Sequence, residues 1–318
     1  MSLRAELVRF ALRRLVKRRR GSGTVASTRR GLAALEAYVP SPPPGTQTTA
    51  VHAGGVKASR ITTPRSRPDR IVLHLHGGAY VIGSPSIYRH VTWRIASATC
   101  AAVLSIDYRL APEHPFPAAL EDAVAAYRSL LADGTDPRRI AVIGDSAGGG
   151  LAFAMLLKLR DDGVALPAAV AALSAWTDLA LASPSVRLNA DADPMANVEQ
   201  IARAARQYLA DADPRTPYAS PLYGDPTGLP PTLLQVGSDE VLRDDTVLMA
   251  DRLRAAGCRV ELEVWPRMPH AWHLFAPLLP EADRAIARVG AFVRRELDGP
   301  SFGSTLQGRS HHSAGRII

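Results

Sequence analysis

Residues 140–159 constrain the fold of this chain more than any other stretch. Ile140-Ala-Val-Ile143 is a short apolar run with the length of a buried strand, and residues 151–159 carry apolar side chains at helical spacing. Between them stands Gly144-Asp-Ser-Ala-Gly148, so the chain passes from strand to helix in one sharp turn centred on Ser146. A serine at such a turn occupies strained backbone, and small neighbours avoid a clash there. The turn lifts the hydroxyl above the sheet, and the first amides of the helix point at any negative charge that develops beside it. On this stretch alone two readings of Ser146 are open: a helix-capping residue in a glycine-rich turn, or an exposed nucleophile.

The same alternation recurs along the chain. Apolar runs at 71–76, 101–106, 168–173, 232–236 and 260–264 read as buried strands, and residues 47–62 alternate as an edge strand or hairpin would. Helical periods fall at 88–99, 118–131, 241–256 and 281–297. Residues 21–28 read as a small-residue linker, Pro40-Ser-Pro-Pro-Pro-Gly45 as a second break, and 183–221 as an excursion rich in Pro and Asp. Strands alternating with helices at this spacing predict an α/β fold with a mostly parallel sheet covered on both faces. In such sheets ligands bind beyond the carboxyl ends of the strands.

Charge matters only once it is located. Residues 1–30 hold ten basic residues against one acid, Glu6, so that segment carries about +9 of the net +8 and the remaining chain about −1. A nearly neutral body argues against nucleic-acid binding by the folded part. Residues 3–20 can form an amphipathic helix with Leu7, Val8, Ala11, Leu12 and Leu15 on one face and arginines on the other. Two readings are open: a helix docked on the body, or a peripheral anchor on anionic lipid through residues 1–20. No apolar stretch reaches transmembrane length, and the first residues lack the apolar core of a signal peptide. With only Cys100 and Cys258 neither a disulfide framework nor a thiolate metal cluster is implied, so a cytoplasmic protein without a metal is expected.

The strand-end rule selects candidates. Ser146 follows one strand, Asp239 follows Leu233-Leu-Gln-Val-Gly-Ser238, and His270 lies in Met268-Pro-His-Ala-Trp-His273 after the last strand. A serine hydroxyl becomes a nucleophile when an imidazole takes its proton, and the imidazole needs a carboxylate to fix its tautomer. Asp239 could instead cap the following helix; Asp244 and Asp245 are its rivals, and His273 is the rival of His270. Acyl transfer also needs amides aimed at an oxyanion. In His76-Gly-Gly-Ala79 two glycines let the backbone approach closely, which makes Gly77 and Gly78, with Ala147 after the serine, the expected donors. His76 is expected to orient that loop.

These motifs carry a resemblance. His76-Gly-Gly-Ala-Tyr80, Asp107-Tyr-Arg-Leu-Ala-Pro-Glu-His-Pro-Phe-Pro117, Gly144-Asp-Ser-Ala-Gly-Gly149, Asp193-Pro-Met195 and the Asp239 and His270 loops together resemble the hormone-sensitive-lipase-like (bacterial family IV) esterases over residues 45–297. The resemblance implies an α/β-hydrolase fold under a helical cap. It divides the chain into an N-terminal basic segment with cap helices at 1–44, a catalytic domain at 45–297 with a cap insertion at about 183–217, and a tail at 298–318 whose composition reads as disordered.

It also implies a cofactor-free serine carboxylesterase that cleaves short- to medium-chain esters through an acyl-enzyme on Ser146. The Gly-Gly-Ala-x variant of the glycine run implies acceptance of tertiary-alcohol esters. Tyr80, Tyr88, Trp176, Met195 and Tyr208 are the expected substrate-pocket residues, with packing of cap on core as their alternative role. Arg109 and Glu113 are expected to brace their loop. The competing activities are an amidase or deacetylase on the same three residues and a non-catalytic small-ligand binder. Homodimerisation through residues 260–264 and 281–297 is the expectation for assembly.

Overall fold

A computed structural model of the protein describes residues 2–17 and 23–299. The expected disordered tail therefore lies, from residue 300 on, outside the described residues, as do Arg18, Arg19 and Arg20 of the basic run. Eight strands form one sheet: β1 (Gln47–Ala53), β2 (Val56–Thr62), β3 (Arg67–Leu75), β4 (Ala101–Ile106), β5 (Ile140–Asp145), β6 (Ala169–Leu173), β7 (Thr232–Gly237) and β8 (Val260–Trp265). Their order is β1-β2-β4-β3-β5-β6-β7-β8. The β1–β2 hairpin pairs antiparallel at one edge and onto β4, and all other pairings are parallel. The mostly parallel α/β sheet read from the sequence is thus present, and 47–62 is the edge hairpin.

The apolar strands are runs because both faces are covered. In β5, Ile140 and Val142 enter one core while Ala141 and Ile143 enter the other. The helices α4 (Ala118–Ala132), α5 (Ala147–Asp161) and α8 (Arg243–Ala255) cover the first face, and α3 (Arg89–Thr99) and α9 (Pro280–Asp298) the second. The chain winds from β3 out to β4 and returns across β3 to β5, so the winding reverses between β3 and β5, which pair from Ile71↔Ile140 to Leu75↔Gly144. That reversal opens a crevice beyond the strand ends, where the loop after β3 and the turn after β5 face each other.

Outside these layers lie α1 (Leu3–Leu12), continued by a wider turn over Arg13–Lys17, α2 (Val25–Leu35), and α6 (Ser185–Leu188) with α7 (Val198–Leu209) in the 183–221 excursion. The linker read at 21–28 is corrected in its second half: Thr24 caps α2, its hydroxyl accepting the Ser27 amide at 3.1 Å, so helix begins at Val25. β3 also starts four residues before the apolar run, across a register shift between Arg67 and Ile71.

Candidate active site

Ser146 sits between the last residue of β5 and the first of α5, at φ +52°, a conformation that costs an L-residue about 1–3 kcal/mol. Its amide donates to the Leu173 carbonyl at 2.8 Å, which holds the turn against β6. Gly148 is required by close approach: a Cβ there would stand 2.0 Å from the Leu75 carbonyl oxygen, so the start of α5 lies directly on β3.

Ser146 Oγ is 2.9 Å from His270 Nε2, and His270 Nδ1 is 2.8 Å from Glu240 Oε2. With the carboxylate accepting, Nδ1 carries the proton and Nε2 presents its lone pair to the serine hydroxyl. Glu240 is fully buried, and its other oxygen accepts from Ser174 Oγ at 2.8 Å and from the Gly237 amide at 2.6 Å. Ser174 Oγ in turn accepts the Ala271 amide at 3.1 Å, which joins the glutamate to the histidine loop a second time. Burial raises the Glu240 carboxyl above its ordinary range despite these donors. Burial also disfavours the charged His270 ring, but the hydrogen bond to Glu240 and its charge outweigh that and raise the imidazole above its usual value.

Asp239, the expected carboxylate, does not reach His270. Its Oδ2 pairs with Arg9 Nη2 at 2.7 Å and its Oδ1 accepts from Ser238 Oγ at 2.8 Å, so the side chain is committed to α1. The neighbouring Glu240 takes the position instead. Order along the chain and placement after β7 fit both acids equally; the direction each side chain takes depends on partners distant in sequence. The Glu240 loop is further held by Asn189 Nδ2, which donates to the Ser238 and Glu240 carbonyls at 3.1 and 2.8 Å, and by Asp193 Oδ2, which accepts the Val241 amide at 3.0 Å. The rivals play other parts. Asp245 is buried and accepts the Thr177 and Asp178 amides, Asp244 pairs with Arg243, and His273 is buried against Gln235 at 2.7 Å.

The expected oxyanion donors are revised in one position. The Gly77 amide donates to Asp145 Oδ1 at 3.0 Å and faces the Tyr88 hydroxyl at 3.1 Å, which withdraws it from substrate. Burial pushes the Asp145 carboxyl up to about 6, with the Tyr88 hydroxyl bond opposing that rise. The amides of Gly78, Ala79 and Ala147 have no acceptor among the described residues. Ala79, at φ +54°, is a donor that the sequence argument for two glycines does not reach. His76 is buried with Nδ1 donating to the Gly77 carbonyl at 2.8 Å and its ring stacked on Tyr108, as expected of a loop-orienting residue.

A cavity of about 510 Å³ opens on Ser146 and His270. Val25 and Leu32 of α2, Ile201 of α7, and Val81, Leu242 and Leu274 give it a largely apolar wall. Tyr88, Trp176 and Met195 line it, as expected of pocket residues. Tyr80 and Tyr208 do not: they stack on each other at 3.8 Å between ring centroids and are buried behind the wall, where two flat rings gain more from one another than from an open cavity. Arg109 pairs with Glu121 and Asp122, and Glu113 with Arg29, so both brace their loop. Among the described residues no group of three or more His, Cys, Asp or Glu side chains is placed to hold a metal ion.

The sequence profile of the alpha/beta hydrolase fold family matches residues 72–274. A crystal structure of an esterase from the bacterial hormone-sensitive lipase family is 45% identical to this chain and covers 93% of it and 99% of its own length at a TM-score of 0.89. The chain is an α/β-hydrolase of the hormone-sensitive-lipase-like family. This hydrolase is also similar to an acetyl-hydrolase from Streptomyces hygroscopicus, 47% identical over 79% of this chain and 83% of the relative. An esterase from Acinetobacter venetianus is 35% identical over 79% of this hydrolase and 82% of its own length.

Proposed function

We propose that this carboxylic ester hydrolase works through a covalent acyl-enzyme on Ser146. The observation that carries the reading is the continuous chain of hydrogen bonds from Ser146 Oγ through His270 to Glu240 at 2.9 and 2.8 Å, opening on an apolar cavity. Ser146 Oγ attacks the ester carbonyl while His270 Nε2 takes its proton. Glu240 holds the ring and offsets the imidazolium charge. The carbonyl oxygen, now negative, receives the amides of Gly78, Ala79 and Ala147. Collapse breaks the bond to the alkoxy oxygen, which leaves with the proton from His270. Water then attacks the acyl carbon, gives its proton to His270, and the ring returns that proton to Ser146.

The apolar wall and the cavity volume support short- to medium-chain acyl groups. Gly78 and Ala79 border the same cavity with at most a methyl, which supports room for a branched alcohol and hence tertiary-alcohol esters. Turnover of a tert-butyl ester beside its n-butyl isomer checks that part; cleavage of the n-butyl ester alone would remove it. Assembly as a homodimer through β8, the half-exposed edge strand, and α9 is proposed with it, and light scattering decides it.

The test of the mechanism is p-nitrophenyl ester hydrolysis from acetate to decanoate, with wild type beside Ser146→Ala, and intact-mass analysis after a phosphonate ester inhibitor. Activity lost in the variant, with one phosphonyl adduct mapping to Ser146, is the expected result. Retained activity in Ser146→Ala, or an adduct on another residue, would refute the acyl-enzyme.

A further inference from the structure

Helix α1 has two faces of different character. On the inward face Ala5 and Leu12 are buried, Ala5 packs with Met268, Trp272 and Leu279, and Arg9 reaches Asp239. Ser2 caps the helix and is itself tied to Glu281 through its amide at 2.7 Å and its hydroxyl at 2.9 Å. The helix is therefore docked, and the apolar face read from the sequence is divided: Leu12 faces the body, whereas Leu7 and Leu15 face away from it.

The outward face is apolar with nothing of the body against it. Leu3, Leu7 and Phe10 are 77%, 62% and 60% exposed, and their i, i+4, i+7 spacing places them on one side of the helix. Leu15, in the next turn, is 64% exposed. Of the nine large apolar side chains left most exposed among the described residues, four fall in this short segment, so it is a concentrated patch and not scattered surface. Arg4 and Arg14 are exposed beside it, with Arg14 over the Phe10 ring at 5.0 Å, while Arg13 donates to the Ala192 carbonyl at 3.2 Å. Glu6, the acid within the helix, is paired with Arg267 at 3.0 Å.

We propose that this face of α1 docks on an anionic lipid bilayer, with Leu3, Leu7 and Phe10 entering the acyl boundary and Arg4 and Arg14 meeting lipid phosphates. Charge selects this occupant. A second copy of this helix face would set arginines against arginines with no unpaired acid of the helix between them, whereas an anionic bilayer supplies both apolar depth and negative charge in one plane. No helix among the described residues is long and apolar enough to cross a membrane, so the contact is peripheral.

The test is co-sedimentation of the full-length protein with phosphatidylcholine vesicles and with vesicles holding one part phosphatidylglycerol to three parts phosphatidylcholine, at low and high salt. Binding to the anionic vesicles only, weakened by salt, is the expected result. The double variant Leu7→Ser/Phe10→Ser should bind those vesicles about tenfold or more weakly. Arg4→Gln/Arg14→Gln should also lose about 25-fold, about fivefold for each charge. Both variants should hydrolyse p-nitrophenyl butyrate at the wild-type rate, which shows that they are folded. Equal sedimentation of wild type with both vesicle types, or unweakened binding by Leu7→Ser/Phe10→Ser, would overturn the proposal. So would a lipid-free dimer that light scattering shows to be split by the same double variant.

Discussion

Arg9, in the first helix, and Asp239, 230 positions later, form an ion pair with Nη2 2.7 Å from Oδ2, and the same guanidinium donates through Nη1 to the Arg267 carbonyl at 2.5 Å. Asp239 adjoins Glu240, and Arg267 lies on the loop that carries His270. One side chain from α1 therefore fastens both the loop of Glu240 and the loop of His270. The pairing is nearly dry on the arginine side, so Arg9→Ala should cost on the order of 2 kcal/mol of stability, less than a fully buried pair because Asp239 keeps some solvent access. With both loops loosened, kcat should fall about tenfold to a hundredfold while KM changes little. Arg9→Lys, which can hold Asp239 but not both partners, should fall between. Steady-state kinetics with thermal melts checks this, and an unchanged kcat in Arg9→Ala would show that α1 does not position the relay.

The pH profile follows from the His270–Glu240 contact. The imidazole is active as a base only when neutral, and Glu240 raises its pKa, so activity should be lost as pH falls through a value above the ordinary 6.5 of histidine. Glu240→Gln removes the charge that favours the imidazolium. The acid limb of kcat/KM measured on a soluble butyrate ester should then move to lower pH. A limb that stays in place would mean that the titrating group is not the ring beside Glu240.

Tyr208 and Met195 separate packing from recognition. Tyr208 is buried and stacked on Tyr80, so Tyr208→Ala should lower stability by about 3–5 kcal/mol and leave the order of preference among acyl chain lengths as it was. Met195 lines the cavity, and Met195→Ala should shift preference toward longer chains with a small effect on melting. Chain-length profiles of both variants, with calorimetry, check the distinction. A changed profile in Tyr208→Ala would place that ring in the pocket after all.

Much of the architecture was legible because its causes are local. A strand covered on both faces must be apolar throughout, and a helix with one buried stripe shows its period, so β4, β5, β7 and α5 fall close to where the sequence puts them. Ser146 and His270 were legible for a related reason: the turn chemistry around Ser146 and placement after a strand are written in neighbouring residues. What failed depended on partners far away. Asp239 and Glu240 are adjacent and equally acidic; Arg9, from the opposite end of the chain, pairs with the first, while Ser174, 66 positions away, helps hold the second toward His270. The role of Gly77 is hidden because the Asp145 carboxylate that takes its amide is 68 residues distant. Tyr80 and Tyr208 found each other across the fold.

Two isosteric substitutions at neighbouring positions test the relay most directly: p-nitrophenyl butyrate hydrolysis by Glu240→Gln and by Asp239→Asn, beside wild type. Loss of the carboxylate that orients the histidine of such a relay costs about 10⁴ in kcat. Glu240→Gln is therefore expected to fall by about 10³-fold or more, and Asp239→Asn, which only weakens the hold of Arg9, by less than about tenfold. The reverse ranking, with Asp239→Asn nearly inactive and Glu240→Gln close to wild type, would contradict the assignment of Glu240 as the carboxylate of the relay.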